Sequence, residues 1–130
     1  MLLQLRTPAP LLPDDLTLKA ALGGEALCAT CDYLPGDAVL HFDDGELRAR
    51  RDPATVELPG GRRLFHPVLA LATHACEPNC RLDLEERLMV AVRPIAAGEA
   101  VTFDYETTER WFSHPFWCQC GARRCRGRIG

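Results

Sequence analysis

Residues 98–127 read GEAVTFDYETTERWFSHPFWCQCGARRCRG, and a loop upstream, residues 73–79, reads THACEPN. The long stretch has two halves. In the first, Ala100–Asp104 has the small, branched and aromatic residues of a half-buried strand, with Tyr105 at its end. The second sets Cys118, Cys120 and Cys125 within eight residues, too close together for ordinary core use. Three thiolates make an incomplete tetrahedral zinc site, which takes four ligands. The tail 118–130 has glycines and no strand pattern. It is too short to bury a core of its own, so a bound metal would have to supply its order. The candidates for the fourth ligand are Cys28, Cys31, Cys76, Cys80 and His114. Cys28 and Cys31 are spaced C-x-x-C, but on an expected strand their side chains point to opposite faces or fall in a turn.

At 130 residues the chain has the size of one domain with a single modest core. Hydrophobic residues make up 47% and charged residues 25%, as in a soluble globular protein. No apolar run has the length of a membrane span, and Met1–Arg6 is too short and wrongly flanked for a signal peptide, so a cytoplasmic location and no membrane partner are expected. Seven cysteines, an odd number clustered near one end, argue for metal ligation over a disulfide framework. The net charge of −3 and pI near 5.8 argue against nucleic acid as a partner and suit a basic peptide. Lys19 is the only lysine among fifteen basic residues.

Before this region the chain reads as short strands separated by turns. Pro8, Pro10 and Pro13 disfavour regular structure in an N-terminal arm, residues 1–22, within which Leu16–Leu22 is a short helix or strand. Strands are expected at Gly24–Thr30, Ala38–Phe42, Glu46–Arg50 and Thr55–Leu58, with turns at Leu34–Asp37 and Asp43–Gly45. Pro59-Gly60-Gly61 breaks the chain again. Pro67–Thr73 predicts a short helix, since proline suits a first helical position, and it must stop near Glu77-Pro78. Asn79–Leu84 and Leu88–Val92 flank Glu85-Glu86-Arg87 as a hairpin. The whole is a mostly β fold with little helix. A lone histidine is ordinarily a satisfied side chain, and a tyrosine after a strand ordinarily packs with its hydroxyl bonded. Spacing alone therefore assigns no catalytic role to His74 or Tyr105.

Taken together, the motifs resemble the SET-domain protein-lysine methyltransferases with a post-SET cysteine tail. Gly24-Glu25-Ala26-Leu27-Cys28-Ala29 is similar to the family's Gly-x-Gly segment, and Pro35-Gly36-Asp37 follows it. Thr73–Asn79 is similar to Asn-His-Ser-Cys-x-Pro-Asn, and Gly98–Tyr105 to Gly-Glu-Glu-Leu-Thr-Phe-Asp-Tyr. Cys118, Cys120, Cys125 and Gly127 match the tail. The resemblance covers residues 23–127, with a SET domain over 23–117 and the zinc-binding tail over 118–130. It implies small curved sheets around a knot-like crossing where the His74 loop meets the Tyr105 segment. It also implies that Cys76 joins Cys118, Cys120 and Cys125 on a structural zinc ion.

The implied activity is S-adenosylmethionine-dependent methylation of a lysine in a basic protein or peptide. Tyr105 would be catalytic. Gly24, Glu25, Ala26, Thr73, His74, Tyr105 and Trp117 would bind the cofactor, with Trp117 or Phe116 covering it or lining the lysine channel. The chain departs from the family at Ala26, which replaces a glycine, and at Thr73, which replaces an asparagine. The stretch between Phe42 and Thr73, which helps to form the family's substrate groove, is short. The alternative is a catalytically silent module of the same fold that binds a basic peptide. A zinc-organised nucleic-acid binder using Arg123, Arg124, Arg126 and Arg128 is disfavoured, because the chain is net acidic and has no recognisable reading helix.

Overall fold

The computed structural model describes residues 12–21, 24–49, 54–108, 116–118 and 120–129. Among them the regular structure is twelve short strands and two 3₁₀ turns. Strand β1 (Leu16–Ala21) pairs antiparallel with β2 (Gly24–Ala29), from Leu16 opposite Ala29 to Ala21 opposite Gly24. The far edge of β2 meets the chain again. Cys28 bridges to Ala100, and the Val101 amide donates to the Leu27 carbonyl at 2.9 Å. Residues 16–21, expected as a short helix or strand, are paired strand.

β3 (Ala38–His41), β8 (Cys80–Asp83) and β9 (Leu88–Ala91) form one sheet in the order β3-β9-β8. The expected hairpin between β8 and β9 is present, because Asp83 Oδ1 accepts from the amides of Glu85 and Glu86 and Arg87 takes a left-handed φ of 59°. A second sheet holds β4 (Glu46–Arg48), β5 (Thr55–Glu57) and β6 (Arg63–Phe65) in the order β4-β6-β5. No strand was expected at its central member, β6. Its opening Arg63 reads in sequence as a solvated charge, yet it is buried, donating through Nε to Thr55 Oγ1 at 3.0 Å with Nη1 3.7 Å from Glu57. Gly45 lies so close to β6 that a Cβ there would stand 2.8 Å from the Phe65 carbonyl oxygen.

The helix expected over Pro67–Thr73 is only a 3₁₀ turn, Leu69–Leu71. His66 Nδ1 accepts the amides of Val68 and Leu69 at its start, and Ala72 has already turned extended, with ψ of 140°. That early end frees β7 (Thr73–His74) to pair in parallel with β10 (Thr102–Phe103). Parallel neighbours need a long crossover. Residues 75–101, which include the β8–β9 hairpin, supply it, and this is the crossing of the fold.

Asn79 locks the crossing. It is 2% exposed; its Oδ1 accepts the Thr102 amide at 2.9 Å, and its Nδ2 donates to the Ala100 carbonyl at 2.7 Å and Glu99 Oε2 at 3.0 Å. Removing the amide strands several buried groups at once. Asn79→Ala is expected to cost roughly 2–4 kcal/mol of stability, read by urea unfolding. Asn79→Asp is expected to cost more, because it turns an acceptor toward Glu99 and the Ala100 carbonyl. A loss under about 0.5 kcal/mol in both variants would remove Asn79 as the lock.

The tail contains a strand pair that its composition does not announce. β11 (Phe116–Trp117) pairs antiparallel with β12 (Arg128–Ile129), and the Ile129 side chain is fully buried. The core runs through Leu27, Phe42, Leu64, Met89, Ile95 and Val101, so all the larger sheets share it. Among the described residues no helix is long and apolar enough to cross a membrane.

Candidate active site and metal centre

The parallel pair puts Phe103 opposite His74, which brings Tyr105 back over the Thr73–Asn79 loop. Tyr105 opens the second 3₁₀ turn, Tyr105–Thr107, capped by Asp104, whose side chain accepts the Glu106 amide. The Tyr105 amide donates to His74 Nδ1 at 3.0 Å. A ring nitrogen that accepts carries no proton, so the imidazole N–H sits on Nε2. That N–H points to Cys76 Sγ, 3.5 Å away. One buried imidazole therefore joins the tyrosine's backbone to a cysteine of the loop.

The Tyr105 ring packs against His74, Phe103 and Phe116, with centroids 5.2, 5.0 and 5.8 Å away. Its hydroxyl donates to the Ala72 carbonyl at 2.7 Å. Burial pushes its pKa up, the bond with His74 offsetting only part of the effect, so the phenol stays protonated at neutral pH. With its proton directed at Ala72, the oxygen's lone pairs remain for another partner.

Cys76, Cys118, Cys120 and Cys125 come together with all four sulfurs within 4.8 Å of one another. Ligands about 2.3 Å from a shared ion at tetrahedral angles stand about 3.8 Å apart. The Cys76–Cys118 sulfur distance is 3.8 Å. Burial and the neighbouring thiols push the Cys118 thiol up to about 12. Burial works the same way on Cys120, but hydrogen bonds, led by a backbone bond, bring it down to about 6. Cys76 is also lowered against burial, chiefly by the Arg126 amide, which donates to its sulfur at 3.3 Å. Sulfurs this close cannot all ionise unaided, and a divalent cation is what lets them. The donor set thus fits a tetrahedral metal ion.

Arg126 ties this centre to the Tyr105 turn a second time. Its guanidinium reaches Asp104 Oδ1 at 2.8 Å and Glu106 Oε1 at 2.5 Å, the residues on either side of Tyr105. The sequence marks Arg126 only as one of four tail arginines, not as a partner of the Tyr105 turn, and gives Asn79 no role of its own. Each lies inside a quoted motif, but its partners are remote in the chain.

The other expected residues fall as follows. Thr73 and His74 lie on β7 beside β10. Gly24 and Glu25 are exposed at the start of β2, whereas Ala26 is buried. Gly24 has a φ of 139° and nothing within 4 Å of an added Cβ, so its backbone is open to approach. Trp117 is 75% exposed, and it is Phe116, with its centroid 5.7 Å from that of His74, that joins the aromatic cluster. Of the other thiols, Cys28 is buried in β2, Cys31 is exposed, and burial pushes Cys80 up to about 12. His114 lies outside the described residues.

Comparison with known proteins agrees with this arrangement. Over 63 residues the chain is 35% identical to methyltransferase flvH of Aspergillus flavus, covering 47% of this chain and 35% of that protein. Over 63 residues it is 40% identical to the histone-lysine N-methyltransferase ASHR3 of Arabidopsis thaliana, covering 44% of this chain and 12% of that protein. The chain thus spans about a third or less of these relatives. The crystal structure of KRYPTONITE in complex with mCHH DNA, H3(1-15) peptide and SAH shares the fold, with a TM-score of 0.65 at 21% identity over 87% of this chain and 29% of that one. The SET domain model matches residues 24–106, from the exposed glycine of β2 through the parallel crossing to the turn after Tyr105, and the chain belongs to the SET-domain family.

Proposed function

We propose that the chain is a protein-lysine N-methyltransferase using S-adenosylmethionine, with a structural zinc ion in its tail. The observation that carries the reading is the environment of Tyr105. Its hydroxyl is oriented by Ala72, its ring is walled by His74, Phe103 and Phe116, and its backbone is joined through His74 to the cysteine centre.

When bound, S-adenosylmethionine supplies an electrophilic methyl group on a sulfonium. The exposed backbone at Gly24 and Glu25, with Thr73 and His74, would hold that group, and Ala26 leaves the approach clear because it is buried. The lysine amine attacks only as the free base, and roughly one lysine in a thousand is neutral at pH 7.4. The aromatic wall favours the neutral amine, since low polarity penalises the ammonium ion. The Tyr105 oxygen, with its proton held by Ala72, offers lone pairs to the amine N–H and to the polarised methyl hydrogens. It thereby aligns the nitrogen with the methyl carbon. The chain's part in the transfer would be that alignment, and the proton the amine gives up would pass to water.

Four thiolates leave zinc no open position, so its role is to hold the tail. Phe116, two residues before the first tail cysteine, is the part of the tail that reaches Tyr105.

The test is incubation with methyl-labelled donor and a basic lysine peptide beside its arginine counterpart. Label is expected on the lysine peptide alone, at a rate rising about tenfold per pH unit below the lysine pKa. Lys19 is the only lysine of the chain, so Lys19→Arg removes any self-labelling. Absence of both transfer and calorimetric binding of the donor would leave the silent peptide-binding module.

A further inference from the structure

The whole-chain charge of −3 hides a segregation. The last fifteen residues hold four arginines and no Asp or Glu, leaving eleven basic and eighteen acidic residues for the rest. Within this basic tail Arg126 is engaged with Asp104 and Glu106. Arg123, Arg124 and Arg128 are exposed, and none pairs with an acidic side chain among the described residues. Arg123 and Arg124 lie in the turn closed by the Cys125 amide on the Ala122 carbonyl. Arg128 stands opposite Trp117 in the β11–β12 pair.

Trp117 is the most exposed large apolar side chain among the described residues, with one edge of its indole passing over Gly127. Its neighbour Phe116 is the one turned toward Tyr105, so the indole is left with no part in that cluster. A bare indole beside three exposed guanidinium groups that meet no carboxylate among the described residues, on a knuckle drawn tight by four sulfurs, is a surface with both elements of single-strand recognition. The arginines suit phosphates, and the flat ring suits an unstacked base.

We infer that the β11–β12 knuckle is a binding surface for single-stranded nucleic acid, with the backbone on Arg123, Arg124 and Arg128 and a base on Trp117. Charges beyond about 8 Å are largely screened at physiological salt, so the local sign outweighs the net charge. A run of carboxylates would satisfy the arginines but brings no planar ring for the indole, whereas every nucleotide carries one beside its phosphate. A duplex keeps its bases stacked, and strands of two residues form no ribbon long enough to read a groove.

The experiment is fluorescence anisotropy of a labelled single-stranded oligonucleotide with the zinc-loaded chain across a salt series. With three phosphates neutralised, the slope of log K against log salt is expected near about −2. Arg123→Ser with Arg124→Ser is expected to bring it to about −0.7. Trp117→Leu is expected to weaken binding roughly tenfold and leave the slope unchanged. A zinc assay on each variant separates a lost surface from a collapsed tail. A flat salt dependence overturns the inference, as does a Trp117→Leu variant that binds like the parent. Equal competition by a poly-glutamate of the same charge would reassign the surface to acidic proteins and overturn it too. None of these readouts requires methyl transfer, so the surface and the activity stand or fall separately.

Discussion

Tyr105→Phe is expected to lower methyl transfer on the order of 10²-fold or more while leaving donor affinity nearly unchanged. The variant keeps the ring among His74, Phe103 and Phe116 and removes one oxygen. What is lost is alignment of the attacking nitrogen, and misplacement on the scale of an ångström costs about 10²-fold. A small stability loss accompanies it, because the buried Ala72 carbonyl loses its donor. That loss should be about 1–2 kcal/mol, too little to unfold a domain of ordinary stability. Single-turnover rates, calorimetry with the donor and a thermal melt separate the three effects. Burial holds the phenol protonated, so the parent's rate between pH 7 and 9 should follow ionisation of the substrate lysine. Equal losses in donor affinity and turnover would show that Tyr105 is a packing residue.

Removing the metal should be the second large effect. The zinc-loaded chain is expected to hold one ion. A chelator should abolish transfer and expose residues 116–129 to protease, while the β3-β9-β8 sheet keeps its order. Without an ion, four close sulfurs would lack a charge to hold them together, and the burial of Ile129, the Arg126 ion pairs and the Phe116 ring contacts would have to retain the tail. Phe116 then leaves His74 and Tyr105, and the wall of the lysine site opens. Cys76→Ser should reproduce the loss, whereas Cys31→Ser, exposed and outside the cluster, should keep full zinc content. Binding requires thiolates, so zinc should be released as pH falls. Full turnover by a chelated chain with zinc below a tenth of stoichiometry would deny the tail any part in the site.

Much of the strand plan was legible because it is local. Alternation and turn residues mark β2, β3 and the β8–β9 hairpin, and Asp83 closes the hairpin with bonds to residues two and three positions away. β6 was not legible, because its Arg63 is buried against Thr55 and Glu57 of a neighbouring strand. The Pro67–Thr73 helix failed for a related reason. His66 takes two of its amides, and pairing with β10 draws Thr73 into extended backbone. The tail's strand pair was hidden because each partner has only two residues, and periodicity has no meaning at that length.

The order of the motifs determined a mostly β chain of the SET type with a thiol-rich end, because strand alternation, turn chemistry and cysteine spacing are written over a few neighbouring positions. It did not determine, from spacing alone, that Cys76 is the fourth sulfur, 42 residues from Cys118. Nor did it determine that the Tyr105 proton points at Ala72, that Arg126 grips both sides of Tyr105, or that Phe116 faces inward while Trp117 faces out. Those depend on one parallel pairing, β7 with β10, which closes a long crossover and brings remote side chains within bonding distance. Only the folded chain has that proximity.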